Sequence, residues 1–95
     1  MNRELYLRSE WGQVLSALNL LGSFKKRSTG VLVGLCVFHH ERTPSLHLWP
    51  ESKRFRCHGC GATGDMIDFV ALYKSLNPYS ITYSEGIKNF FQKLR

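Results

Sequence analysis

The strongest structural signal in this chain is a pair of short motifs, Cys36-Val37-Phe38-His39 and Cys57-His58-Gly59-Cys60. Each motif offers two metal ligands separated by two residues, and seventeen residues lie between the motifs. This spacing lets two tight turns aim four side chains at one ion, and thiolates with imidazole select zinc. The pattern therefore predicts one structural Zn²⁺ with its four positions filled by Cys36, His39, Cys57 and Cys60.

The roles of the other three histidines are less clearly indicated by the sequence. His40 is an alternative ligand to His39, through a three-residue spacing in the first motif. His58 lies between two ligand cysteines, so its side chain is expected to point away from the ion and to be exposed. His47 is either a solvated strand residue or a contact to a nucleic-acid base.

Length and composition favour one small globular domain over residues 1–95. The chain is 43% hydrophobic and 21% charged, which is typical of a folded protein and not of a disordered tail. No apolar run approaches the roughly 20 residues that span a bilayer, and no secretory leader opens the chain, so no membrane partner and a cytoplasmic location are expected. An odd number of cysteines, three, argues against a disulfide framework.

Hydrophobic periodicity predicts an α+β fold, a zinc ribbon on a small antiparallel sheet with flanking helices. Leu46 and Leu48 alternate with polar or aromatic neighbours, and Phe55 lies between two arginines, as expected of half-buried strands. The connections are too short for parallel crossovers. The ribbon is expected over about 24–62, and helices are expected over about 9–21, 65–76 and 83–94.

Local signals mark the ends of those helices. Gly22 is expected to end the first helix. Asp65 is expected to cap the second, and Thr82 with Glu85 has the form of a capping box for the third.

A net charge of +6 indicates a polyanionic partner such as nucleic acid. If Leu46 and Leu48 face the core, strand alternation buries Phe55 and places the arginines beside it on the opposite face with His47 and Trp49. Cations neutralise phosphates and aromatic rings stack on bases. The candidate DNA-binding residues are Arg42, His47, Trp49, Lys53, Arg54 and Arg56. The basic segment Lys25-Lys26-Arg27 is interpreted as a solvated turn.

An enzymatic alternative is a zinc nucleobase deaminase, because His39-His40-Glu41 followed by Cys57 and Cys60 has the H-x-E…C-x-x-C order of those enzymes. Three features oppose it. Arg56 stands where a proline is expected, the fifteen residues after Glu41 leave little room, and Cys36 would fill the position that the catalytic water needs.

The chain resembles the zinc-binding domain at the N-terminus of bacterial and phage replicative DNA primases. The resemblance covers roughly residues 10–95 and is carried by Gly34–His39, Glu41–Ser45, Phe55–Gly61 and Gly64–Val70. The chain departs from the family, which usually has proline at position 37, glycine at 40 and an aromatic residue at 58. These departures bear on how the first motif packs and leave the zinc ligands intact.

The resemblance implies a zinc ribbon that binds the single-stranded DNA template and helps to select where a primer starts. Polymerisation is then expected in a separate catalytic primase domain or polymerase, and a replicative helicase is a further expected partner in a primosome. Nothing in this chain matches the acidic catalytic centre, so no catalytic residue is assigned. An alternative function is a protein-binding zinc-ribbon adaptor of a replication or mobile-element system, with the stripe Ile87, Phe90, Phe91 and Leu94 docked on the partner.

Overall fold

The computed structural model describes residues 3–38 and 44–94. Helices and strands follow one another along the chain as α1 (Arg3–Tyr6), α2 (Trp11–Ala17), a short 3-10 helix (Leu21–Ser23), β1 (Phe24–Lys26), β2 (Leu32–Gly34), β3 (Leu46–Trp49), β4 (Arg54–Cys57), β5 (Thr63–Asp65), α3 (Met66–Tyr73) and α4 (Tyr83–Gln92). The predicted α+β class, an antiparallel sheet with flanking helices, is confirmed.

The sheet is an antiparallel meander in the order β1-β2-β3-β4-β5. Its centre is the β3–β4 hairpin, in which Leu48 pairs with Phe55 and Trp49 with Arg54. Because successive side chains point to opposite faces, this register separates an apolar face from a basic and aromatic one. We call these the core face and the outer face, and define the outer face by His47, Trp49, Arg54 and Arg56.

The part of the core face on β3 and β4 is fully removed from solvent. Leu46, Leu48 and Phe55 each have 0% exposure, as the strand alternation predicted. Residues from all three longer helices complete this core, among them Leu15 of α2, Ile67 of α3 and Ile87 of α4.

Four aromatic rings join the sheet to the helices and to the first cysteine motif. The Phe55 ring lies 5.3 Å from Phe69, 5.8 Å from Phe38 and 6.5 Å from Trp11, measured between centroids. Phe38 also lies 5.2 Å from Phe69. Such tilted and edge-on pairs contribute beyond the area they bury. Phe38 therefore ties the segment that carries Cys36 into the hydrophobic core.

The helix ends differ in part from expectation. The first helical region is divided, and α2 closes at Asn19, whose φ of 61° is left-handed, before Gly22 is reached. The amide of Leu20 then donates to the Leu15 carbonyl at 2.7 Å, a bond that satisfies a carbonyl of the last turn. Asparagine tolerates this conformation better than most residues, so no glycine is needed there.

The predicted cap of α3 is confirmed, and the capping box of α4 is wrong. The Asp65 carboxylate accepts from the Asp68 amide at 3.0 Å, and the Asp68 carboxylate accepts from the Asp65 amide at 3.0 Å. Thr82 makes no side-chain cap bond to α4, because its hydroxyl pairs with that of Ser80 at 2.8 Å.

The apolar stripe of α4 is part of the chain's own core. Ile87 is 0% exposed, Phe91 2% and Phe90 8%, and Leu94 packs against the same cluster. The adaptor alternative assumed that this stripe was available to a partner, and that assumption is wrong. Across residues 3–38 and 44–94, every helix falls short of the length and apolar character that a bilayer crossing requires.

Candidate metal centre and outer sheet face

Three cysteine thiols converge at one end of the sheet. Cys36 follows β2, Cys57 is the last residue of β4, and Cys60 lies in the turn that leads to β5. Their Sγ atoms all lie within 4.8 Å of one another, and those of Cys36 and Cys60 are 3.9 Å apart. We call these three thiols the thiol cluster. Of the residues that the structure describes, no other such group of metal-ligand side chains assembles.

The spacing of the thiol cluster fits zinc. Two sulfurs bound tetrahedrally at the usual Zn–S distance of about 2.3 Å are about 3.8 Å apart. The Cys36–Cys60 separation already matches this value, and the other two separations need at most a contraction of about 1 Å to reach it. Zinc bound here supplies a structural cross-link between the ends of β2 and β4.

Backbone amides surround the sulfurs. The Cys57 sulfur accepts from the amides of Gly59 at 3.3 Å and Cys60 at 3.4 Å, and the Cys36 sulfur accepts from Phe38 at 3.3 Å. The Ser45 hydroxyl lies 3.3 Å from the Cys57 sulfur. These donors stabilise negative charge on the sulfur atoms, as a thiolate–metal site requires.

Burial and these hydrogen bonds together shift the pKa values of Cys36 and Cys57 in opposite directions. Burial raises the pKa of Cys36 to about 12, although the Phe38 amide opposes the rise. Burial also acts to raise the pKa of Cys57, but hydrogen bonds from Ser45 and from the Cys60 and Gly59 amides outweigh it and lower the value to about 7. A divalent cation is therefore needed to displace the proton of Cys36 near neutral pH.

The fourth predicted ligand lies outside the described residues. His39 and its alternative His40, together with Glu41 and Arg42, fall in the segment 39–43. The structure thus brings together three of the four predicted ligands, and the assignment of the fourth to His39 stays a prediction.

The outer face collects four of the predicted DNA-binding residues. His47 pairs with Arg56, and Trp49 with Arg54, across the β3–β4 hairpin. Both arginines are exposed, and the His47 and Trp49 rings are half-buried and stack at 6.0 Å. His58 is exposed, as expected, and contacts the His47 ring edge-on at 4.5 Å. A continuous aromatic row therefore runs beside two cations.

Lys53 is placed differently from expectation. Its ammonium donates to the Ser9 carbonyl at 2.8 Å and pairs with the Glu10 carboxylate at 2.9 Å. Its side chain is only 17% exposed. These contacts join the β3–β4 turn to the start of α2, so Lys53 has a structural role and is not part of the outer face.

Sequence patterns did not predict the roles of two residues at the site, Phe38 and Ser45. Phe38 lies inside the first ligand motif but packs in the core, and only its apolar character hinted at this. Ser45 contacts the Cys57 sulfur across the hairpin, and its carbonyl accepts from the His58 amide at 2.9 Å. That contact depends on strand register, which local sequence does not reveal.

The thiol cluster also bears on the deaminase alternative. That function needs an open zinc position for water, with Cys36 apart from the metal. The Cys36 sulfur instead lies within 4.8 Å of the sulfur atoms of Cys57 and Cys60, close enough for all three to bind one ion. The arrangement favours a closed structural site.

Comparisons with known proteins agree with this geometry. The CHC2 zinc finger family, a zinc ribbon of the DnaG type, matches residues 14–94. The DNA primase of Clostridium acetobutylicum is 40% identical over 69 residues, which cover 73% of this chain and 11% of that protein. The DNA primase of Myxococcus xanthus is 36% identical over 66 residues, covering 64% of this chain and 11% of that protein.

A solved structure shares the fold. The crystal structure of the Aquifex aeolicus primase, comprising zinc-binding and RNA polymerase domains, superposes with a TM-score of 0.71 at 25% identity. The match covers 96% of this chain and 21% of that one. The chain thus spans a small fraction of the primases that it matches. It belongs to the CHC2 zinc finger family.

Proposed function

We propose that this domain binds the single-stranded DNA template of a primase and helps to select where a primer starts. Its partners in this proposal are the template and a catalytic primase domain, with a replicative helicase as a further partner. The Aquifex aeolicus primase, in which zinc-binding and RNA polymerase domains occur together, supports this division of labour.

The observation that carries the proposal is the composition of the outer face. Arg54 and Arg56 project from one strand while Phe55 between them is buried, so the cations point away from the core together. Trp49 and His47 lie directly opposite them. Cations compensate backbone phosphates, and stacking on an aromatic ring contributes about 1–3 kcal/mol per base without demanding a particular sequence.

Zinc supports this surface indirectly. In the proposal His39 completes the tetrahedron with the thiol cluster, which clamps β2 and β4 on either side of β3. Zinc-finger peptides gain on the order of 10–16 kcal/mol from their metal at neutral pH, enough to hold strands this short in register. The outer face is then a preformed platform.

The carboxylates support the view that polymerisation occurs elsewhere. A primer-synthesising centre needs clustered acidic residues to hold metal ions. Within residues 3–38 and 44–94, the one cluster of at least three metal-ligand side chains is the thiol cluster. Asp65 and Asp68 cap α3 and pair with Arg3, which gives them a structural role.

The test is a titration of labelled single-stranded DNA at several salt concentrations. Wild-type affinity should fall as salt rises. The double variant Arg54→Ala with Arg56→Ala should bind more weakly, and its log–log salt slope should be shallower by about 1.4, or 0.7 for each lost phosphate contact.

A matched control removes the same charge from another surface. Lys88 and Lys93 are exposed residues at α4, which packs on the other side of the sheet. The variant Lys88→Ala with Lys93→Ala should retain the wild-type slope. A DNA affinity that does not change with salt concentration, or an equal loss of DNA affinity in the two double variants, would contradict the proposal.

A further inference from the structure

An open hollow adjoins the outer face at the end of the sheet remote from the thiol cluster. It has a volume of about 390 Å³ and lies between the β1–β2 hairpin and the β3–β4 turn. Trp49, Pro50 and Val31 supply an apolar wall, and Lys26 and Glu51 supply opposite charges. The interpretation of Lys25-Lys26-Arg27 as a solvated turn is wrong for the two lysines, which belong to β1 and pair with β2 in the hairpin that lines the hollow.

We propose that this hollow holds a single unpaired base of the bound strand and prefers a base that carries an exocyclic amino group to one that does not. The inference rests on the proposed template binding and specifies a base-reading site within it. The base stacks on Trp49, Lys26 compensates an adjacent phosphate, and the Glu51 carboxylate accepts a hydrogen bond from the amino group. Cytosine offers such a donor at N4, whereas thymine presents a carbonyl oxygen there.

The chemistry of the lining favours a base over a simple anion. Glu51 would repel a free phosphate, and it weakens any surface that binds DNA by charge alone. A carboxylate next to a half-buried tryptophan instead matches the edge and the face of one heterocycle. The stack of His47 on Trp49 connects the hollow to the outer face, so one strand can occupy both.

The experiment compares oligo-dC and oligo-dT of equal length, at several salt concentrations and mildly alkaline pH. Wild type should bind oligo-dC more tightly by about fivefold or more, the ratio expected for one well-placed hydrogen bond to a base edge. Glu51→Ala should bring this ratio close to one, mainly by strengthening oligo-dT binding as a negative charge is removed. Trp49→Ala should weaken both complexes.

Glu85→Ala is the matched control, since it removes an exposed glutamate from α4. It should preserve the wild-type ratio. A wild-type ratio near one, or a ratio that Glu51→Ala leaves unchanged, overturns the base-reading site even when binding still depends on salt and on Arg54 and Arg56. Absence of salt-dependent binding to either oligonucleotide overturns template binding itself, and the base-reading site with it.

Discussion

Replacing Phe55 with alanine should destabilise the domain severely while leaving the outer face chemically intact. The Phe55 side chain is 0% exposed and contacts the rings of Phe69, Phe38 and Trp11. Deleting a buried phenylalanine ring costs about 3–5 kcal/mol, and three lost aromatic contacts place this site at the upper end, about 4–5 kcal/mol.

Bound zinc determines whether the stability lost in Phe55→Ala is enough to unfold the chain. A domain of this length has a total stability of about 5–14 kcal/mol. Zinc binding at a structural site of this type contributes strongly to the folding free energy of the domain. Phe55→Ala should therefore remain folded with zinc and unfold when a chelator removes it, whereas wild type should retain residual helix under the same treatment.

Urea unfolding followed by far-UV circular dichroism, with and without chelator, measures both effects. Tyr79→Ala is the control, because this aromatic side chain is 96% exposed and its loss should change the unfolding free energy little. A cost below about 1 kcal/mol for Phe55→Ala with zinc bound would refute the inference that this ring joins sheet, helices and metal motif.

Three further predictions concern single sites. Ser75 has a left-handed φ of 57°, so Ser75→Gly should stabilise the domain by about 0.5–1 kcal/mol and raise its melting temperature by about 2–8 °C; a lower melting temperature would contradict this. Lys53→Met should cost about 1–2 kcal/mol, because the Ser9 and Glu10 contacts are lost, yet keep the salt slope of DNA binding; a shallower slope would restore Lys53 to the DNA surface. Zinc affinity in chelator competition should fall as pH decreases, and fall more steeply below about pH 7, where Cys57, with its pKa lowered to about 7, must also release a proton; a constant slope would count against that thiolate.

Local sequence patterns were sufficient to predict the β3–β4 hairpin and its two faces, but not β5, which lies beyond the predicted end of the ribbon. Alternation at Leu46 and Leu48 and the position of Phe55 between two arginines depend only on the two-residue period of a strand. The two-residue spacings around the cysteines likewise predicted that the three thiols meet, because ligand motifs of this kind are local turns.

Long-range contacts and individual backbone conformations could not be predicted from local sequence patterns. The pairing of Lys53 with Glu10 joins the β3–β4 turn to α2 and has no local signature. The left-handed residue that ends α2 is Asn19, not the more obvious Gly22. The α4 stripe has the same periodicity whether it covers its own core or a partner, so only the packed structure decided between these alternatives.

X-ray absorption at the zinc edge of natively purified protein tests most directly whether a metal-clamped ribbon underlies the template surface. The spectrum should show three sulfur ligands at about 2.3 Å and one nitrogen at about 2.0 Å, with about one zinc per chain. A metal-free protein, or a zinc shell dominated by oxygen, would contradict the zinc site and remove the physical support proposed for the outer face.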